Sequence, residues 1–228
     1  MPGDPAQSEI TVAPFTYDAL AGRVVFGAGA AATRAMNAMA HCVEAFYAPA
    51  ANPITSLMAE EGIRALARGA PVAVRRPDDL DGRTDTLYGA YLAGAAFAAA
   101  GSGLHHKICH VLGGAFDLPH AQTHTIVLAH VVAYNAPAMA AVAERLDRAL
   151  GDTGDPAAAL FDLVAGLGAP MALRESGLPP DGIDEVIAPI LAAVAPGTPR
   201  PVDADALRTL LAAAAAGTRP EPTKGAAA

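Results

Sequence analysis

His106 and His110 stand four residues apart, and so do Asn37 and His41. On a helix each pair projects from one face, about one turn apart. The stretch from Gly103 to His120, Gly-Leu-His-His-Lys-Ile-Cys-His-Val-Leu-Gly-Gly-Ala-Phe-Asp-Leu-Pro-His, holds four of the chain's seven histidines. His120 follows Pro119, which marks a break after the helix, so a loop is expected to fold it back toward the others. Two helices and one loop would then aim imidazoles into one pocket. Burying several imidazoles costs free energy unless each finds a partner, and a metal, an anionic ligand or mutual hydrogen bonding are the main routes. His41, His106 and His120 could form a three-histidine set with an open coordination position, which suits Zn²⁺ or Fe²⁺ acting as a Lewis acid. A purely polar pocket is the alternative, and spacing alone does not separate the two.

His105 and Lys107 flank His106 and add positive charge of the kind that suits carboxylate substrates, although adjacent residues on a helix point in different directions. Asp117, in Phe-Asp-Leu-Pro, reads as a turn residue. His124 and His130 lie singly on an apolar helix and read as satisfied polar groups.

The elements that must position these residues are helical. Thr33 can cap a helix running to about Tyr47, with Met36, Met39, Val43 and Phe46 on its core face and Asn37, His41 and Glu44 in the neighbouring stripe. Asn52 and Pro53 start a second helix whose end is expected at Gly69, with Ile54, Leu57, Met58, Ile63 and Leu66 packing. Asp81-Gly82 reads as a turn before a helix from Thr84 to Ala100. Gly101 to Gly103 then break the chain, and Gly113-Gly114 mark the end of the histidine helix. A further helix is expected from about Gln122 to Asn135, where Pro137 interrupts it. Three more follow: one after Asp155-Pro156, one after Pro179-Pro180, and one capped by Asp203 and ending at Gly217. Ahead of them, Phe15 to Gly29 reads as one or two short strands closing on a glycine turn. Gly27 and Gly29 hint at a dinucleotide fingerprint whose third glycine is missing, which is a weak signal.

The expected architecture is mainly α: a helical bundle over 33–218, a tail with a short β fragment over 1–32, and a disordered tail over 219–228. No fixed-period repeat is visible. The 228 residues, 53% hydrophobic and 17% charged, suffice for one sizeable core. A net charge of -8 argues against nucleic acid and anionic membranes as partners. Residues 89–101, the most apolar run, fall short of the roughly 20 residues a membrane span takes. Cys42 and Cys109, inside the site helices, suggest reduced thiols, and the first residues lack the pattern of a signal peptide, so a cytoplasmic location is expected.

Several long motifs resemble the iron-containing (group III) alcohol dehydrogenase family, and within it the maleylacetate reductase branch. They are Ala35-Met-Asn-Ala-Met-Ala-His-Cys-Val-Glu-Ala-Phe-Tyr-Ala48, Asn52-Pro-Ile-Thr-Ser-Leu-Met-Ala-Glu-Glu-Gly-Ile-Arg-Ala-Leu66, Gly103-Leu-His-His-Lys-Ile-Cys-His-Val-Leu-Gly-Gly114 and Tyr134-Asn-Ala-Pro137. Weaker likeness continues through Gly168-Ala-Pro170 and Leu173 to Leu178, and on to Pro199-Arg-Pro-Val202. The resemblance implies the family's helical, dehydroquinate-synthase-like C-terminal domain. It places the family's ligand histidines on His41, His106 and His120 and its nicotinamide-side histidine on His110. The family's ligand aspartate falls on Asn37. A neutral amide is a poorer ligand than a carboxylate and removes a negative charge from beside a dianionic substrate, so metal-free reduction is the expected chemistry.

The resemblance further implies the use of NAD(P)H in reducing maleylacetate to 3-oxoadipate in aromatic catabolism. Its family members place an α/β nucleotide-binding domain after strands like those of residues 15–29. Here only residues 30–34 separate Gly29 from the helix of Asn37, whereas one βαβ unit takes about 30 residues. No complete cofactor site is therefore expected in this chain, and activity is expected to be impaired or to depend on a partner. Non-redox chemistry at the histidines, or an inactive helical module, is the alternative. The expected partners are a small dicarboxylate oxo-acid and a second copy of the chain, associating through exposed apolar helices.

Overall fold

The computed structural model describes residues 31–194 and 198–221. The expected β segment, with Gly27 and Gly29, lies outside these residues. Among the described residues every regular element is a helix: α1 (Ala31–Ala45), α2 (Pro53–Arg75), α3 (Leu80–Ala100), α4 (Leu104–Phe116), α5 (His120–Asn135), a 3₁₀ turn (Ala136–Ala138), α6 (Ala140–Leu150), α7 (Pro156–Gly166), α8 (Gly182–Ala193) and α9 (Ala204–Ala216).

Helix α5 is the axis of the bundle. From Thr123 to Val132 it is buried at every position, as expected of a helix that is apolar all round. Its two sides serve two cores. Leu128, Ala129 and Val132 join Met36, Met39, Val43, Ile63 and Leu66, while Ile126, Val127 and Val131 join Leu112, Val186, Ile190, Leu207 and Leu211. Helices α1 and α4, which carry the remaining clustered histidines, therefore lie against α5 from either side.

Several boundaries differ from the sequence reading, each for a local reason. Asn52 caps α2 as expected: its Oδ1 accepts from the Ile54 and Thr55 amides, and the Thr55 hydroxyl accepts from the Asn52 amide. The helix does not stop at Gly69 but runs on through Pro71 to Arg75. Gly69 is there for contact: a Cβ would lie 2.6 Å from the Thr86 amide nitrogen and 2.8 Å from the Gly82 oxygen. Asp79, not a turn at Asp81-Gly82, caps α3, accepting from the Gly82 amide at 2.9 Å. Gly113 and Gly114 lie inside α4, which ends where Asp117 turns left-handed at φ 52. Leu57 and Ile54, expected to pack, are exposed. Helix α6 was not expected at all.

Of the expected tail, residues 222–228 lie outside the described residues, and Arg219 is held in place. That side chain grips Asp162 with two hydrogen bonds of 2.9 and 2.7 Å. No single described helix is long and apolar enough to cross a membrane, and α3 and α4 meet at 96°.

The tight α2–α3 seam yields a paired test. Gly69→Ala should lower the urea-denaturation stability by about 2 kcal/mol, because backbone must move to admit the methyl group. Gly94, with nothing within 4 Å of its added Cβ, should give a neutral to favourable change of up to about 1 kcal/mol as alanine. Equal shifts for the two variants would contradict the described packing.

Candidate functional site

Six imidazoles gather where α1, α4 and α5 meet. His41 comes from α1, His105, His106 and His110 from α4, and His120 and His124 from α5. His106 is the hub. Its ring centroid lies 5.1 Å from His41, 4.6 Å from His124, 5.3 Å from His105 and 5.9 Å from His110. His120 lies 4.2 Å from His124 and 6.1 Å from His110. Phe97 of α3 closes one wall, 4.3 Å from His41 and 4.5 Å from His106.

Burial grades across the cluster. His105, His106 and His124 form a buried floor, His41 is half-buried, and His110 and His120 are exposed at the rim. The sequence-predicted site residues His41, His106, His110, His120 and His105 thus lie in one group of rings. His120 arrives there differently from the expectation: it is the first residue of α5, not part of a loop. Asn37 sits one turn before His41, and its Oδ1 is buried with no hydrogen-bond partner. Lys107, half-buried, acts on His110 through its charge. Asp117 remains a turn residue, as read.

Two residues at the heart of the site escaped sequence reasoning. His124 was read as a satisfied polar group, yet its Nε2 has no partner and its ring faces His106, His110 and His120. The signal was present: His120 and His124 are four apart, which becomes visible once the helix begins at His120. Glu44 is the other. This fully buried carboxylate of α1 accepts from the Gly103 amide at 2.8 Å and the His105 amide at 2.7 Å, and its Oε2 lies 2.5 Å from His106 Nδ1. The Tyr47 hydroxyl reaches it at 3.5 Å. Burial, then the Glu44 carboxylate, hold the Tyr47 phenol well above its usual pKa. His130, by contrast, lies apart against Phe161 at 6.4 Å, although its Nε2 also has no partner.

Electrostatics keep most of the imidazoles neutral. Burial lowers the His41 pKa to about 3, helped by His106 and His120, and the His124 pKa to about 2, helped by His106. Burial and then His124 put His105 well below its ordinary value. Such rings are neutral nitrogen donors. Ligand atoms of His105, His106 and His124 lie within 4.8 Å of one another, and each of these rings has a nitrogen without a partner. This donor set fits a borderline dication such as Zn²⁺ or Fe²⁺. It equally fits a carboxylate or keto oxygen, which would take hydrogen bonds from ring N–H groups. A groove of about 500 Å³ lined by Ala67, Leu150, Asp155, Asp162 and Arg219 carries no histidine.

Residues 31–215 match the model of the Fe-containing alcohol dehydrogenase family, C-terminal part, and the chain belongs to that family. Its relatives narrow the class. A maleylacetate reductase of Sphingobium indicum is 51% identical over 185 residues, which is 81% of this chain and 52% of that protein. The maleylacetate reductase structure from Rhizobium sp. strain MTP-10005 matches at TM-score 0.80 and 40% identity, over 86% of this chain and 55% of its own. That from Agrobacterium tumefaciens matches at 0.79 and 43%, over 83% and 53%. The chain therefore spans about half the length of the relatives it matches.

The depressed histidine pKa values fix the direction of a pH effect. Unfolded, these rings take up protons near pH 6.5; folded, they resist. Stability is therefore fully present above about pH 6.5 and is lost as pH falls toward the folded values. His124 alone should remove about 2 kcal/mol by pH 5, seen as a lower urea midpoint than at pH 7.5. An unchanged midpoint would mean the rings are not buried as neutral groups.

Proposed function

We propose that this helical assembly is the substrate-holding half of a maleylacetate-reductase-type oxidoreductase. The reaction reduces the carbon–carbon double bond of a dicarboxylic oxo-acid, maleylacetate going to 3-oxoadipate. One observation carries the reading: six imidazoles on three helices run from a dry floor to a wet rim, with unpartnered nitrogens along the way. A dianion placed there replaces missing partners, and neutral rings with N–H groups suit its oxygens, with an amide and not a carboxylate at position 37. Asn37, where the family's metal-dependent members carry aspartate, supports the same charge balance. We assign His41, His120 and His124 to holding the carboxylate and keto oxygens. His110, exposed at the rim, relays the proton from solvent.

NAD(P)H would supply the hydride, so that hydride and proton together add across the double bond while the ketone is kept. The described helices contain no strand–glycine loop–helix cradle for its pyrophosphate. The nucleotide contacts of the working enzyme therefore fall outside them, and turnover by this chain depends on whatever provides those contacts. Localisation in the cytoplasm and self-association belong to the same proposal.

A second reading, non-redox chemistry at a dication, rests on the buried trio of His105, His106 and His124. Such an ion would polarise a substrate carbonyl. Metal analysis of chain purified without chelator distinguishes it: one ion per chain, lost in His106→Asn, favours the second reading over metal-free reduction.

For the first reading, maleylacetate should bind the folded chain by calorimetry and be reduced with NADH. His110→Asn should then lower kcat roughly 100-fold, with a smaller change in KM. A folded chain that neither binds maleylacetate nor oxidises NADH in its presence would rule the reading out.

A further inference from the structure

We infer that Glu44 is a positioning residue that sets the tautomer of His106 and thereby makes it the acceptor within the imidazole cluster. The inference rests on the site just proposed and assigns a division of labour inside it.

Each oxygen of Glu44 already accepts a backbone amide, so the ring nitrogen 2.5 Å from Oε2 is read as the one that brings the hydrogen. That nitrogen is Nδ1. The other nitrogen, Nε2, is buried, has no protein partner and belongs to the ring that touches every other imidazole of the cluster except His120. In that tautomer the ring's hydrogen is committed to Glu44, and Nε2 turns a lone pair toward the pocket. It cannot then donate to a substrate carboxylate. It can accept from a hydroxyl, such as an enol formed on the substrate's keto group, or ligate a dication. Donation to carboxylates is left to the neighbouring rings.

Capping alone does not account for this geometry. Gly103, the residue that precedes α4, offers no side-chain cap of its own; Glu44 supplies one from 59 residues earlier in the chain. Its two oxygens divide the task. Oε1 takes the His105 amide, whereas Oε2 takes both the Gly103 amide and His106 Nδ1–H. A cap would be complete with the two amides, and the ring hydrogen bond is the additional feature. Gly103 makes room for it, since a Cβ there would stand 3.0 Å from Glu44 Oε1 and 2.9 Å from Tyr47 Cε2. Behind the imidazoles of metal sites, hydrogen-bonded carboxylates fix ring orientation and tautomer in this way, and their loss typically costs 10- to 100-fold in metal affinity or activity.

The test is histidine ring ¹⁵N NMR on the full chain at pH 7.5, with His106 assigned by the signals missing from His106→Asn. Wild type should show Nδ1 protonated and Nε2 bare. Glu44→Gln, close in size but with one oxygen replaced by a donor, should lose that single tautomer and lower kcat at least about tenfold. A wild-type ring protonated at Nε2 overturns the inference, and this measurement stands even if Glu44→Gln fails to fold. A folded Glu44→Gln that keeps the wild-type tautomer overturns it too, leaving Glu44 a cap only. The tautomer needs no substrate, so absence of maleylacetate turnover would remove the proposed function and leave this result untouched.

Discussion

One buried carboxylate ties the site together. Glu44 lies on α1, yet the groups it satisfies belong to the first turn of α4, where unpaired amides and the helix dipole favour an anion. The bond network therefore does in one place what would otherwise take two devices: it anchors one helix end against another helix, and it orients a ring at the centre of the histidine cluster. Removing the acid would leave two amides and a ring nitrogen buried without partners, a loss larger than any single surface ion pair provides.

Around that tie, the bundle arranges solvent access in steps. Helix α5 is wrapped on all sides, so His124 is carried into the interior, while His120, one turn earlier at the helix start, stays wet. Helix α4 repeats the gradient in the other sense, from His105 and His106 at its buried beginning to His110 one turn on. At the dry end His105 and His124 are held neutral by desolvation, and the rings at the wet end can exchange protons with water. In the function proposed above, an oxo-acid lying along this line would meet hydrogen-bond partners at one end and a proton source at the other.

Packing of the scaffold follows a different rule. Helices α2 and α3 approach through glycines at 69, 82 and 89, where added side chains would collide with the opposite helix, and Gly62 of α2 leaves room for Cys42 of α1. The sequence reading took Gly69, Gly82, Gly113 and Gly114 as punctuation. In a bundle made of small residues, glycine inside a helix can mark close approach instead, and no local pattern tells the two uses apart.

What the sequence by itself determined is the helical class, the core face of α1, the caps at Asn52 and Asp203, and a group of histidines set at helical spacing. These are properties of spacing over a few residues: the period of apolar side chains, a capping oxygen, pairs four apart. Only the tertiary structure decided that Glu44 meets His106 across 62 positions, that His124 joins the cluster and His130 does not, and which rings are dry. Those outcomes depend on how three helices cross, and a crossing is set by side-chain packing between segments distant in the chain, which no local window contains.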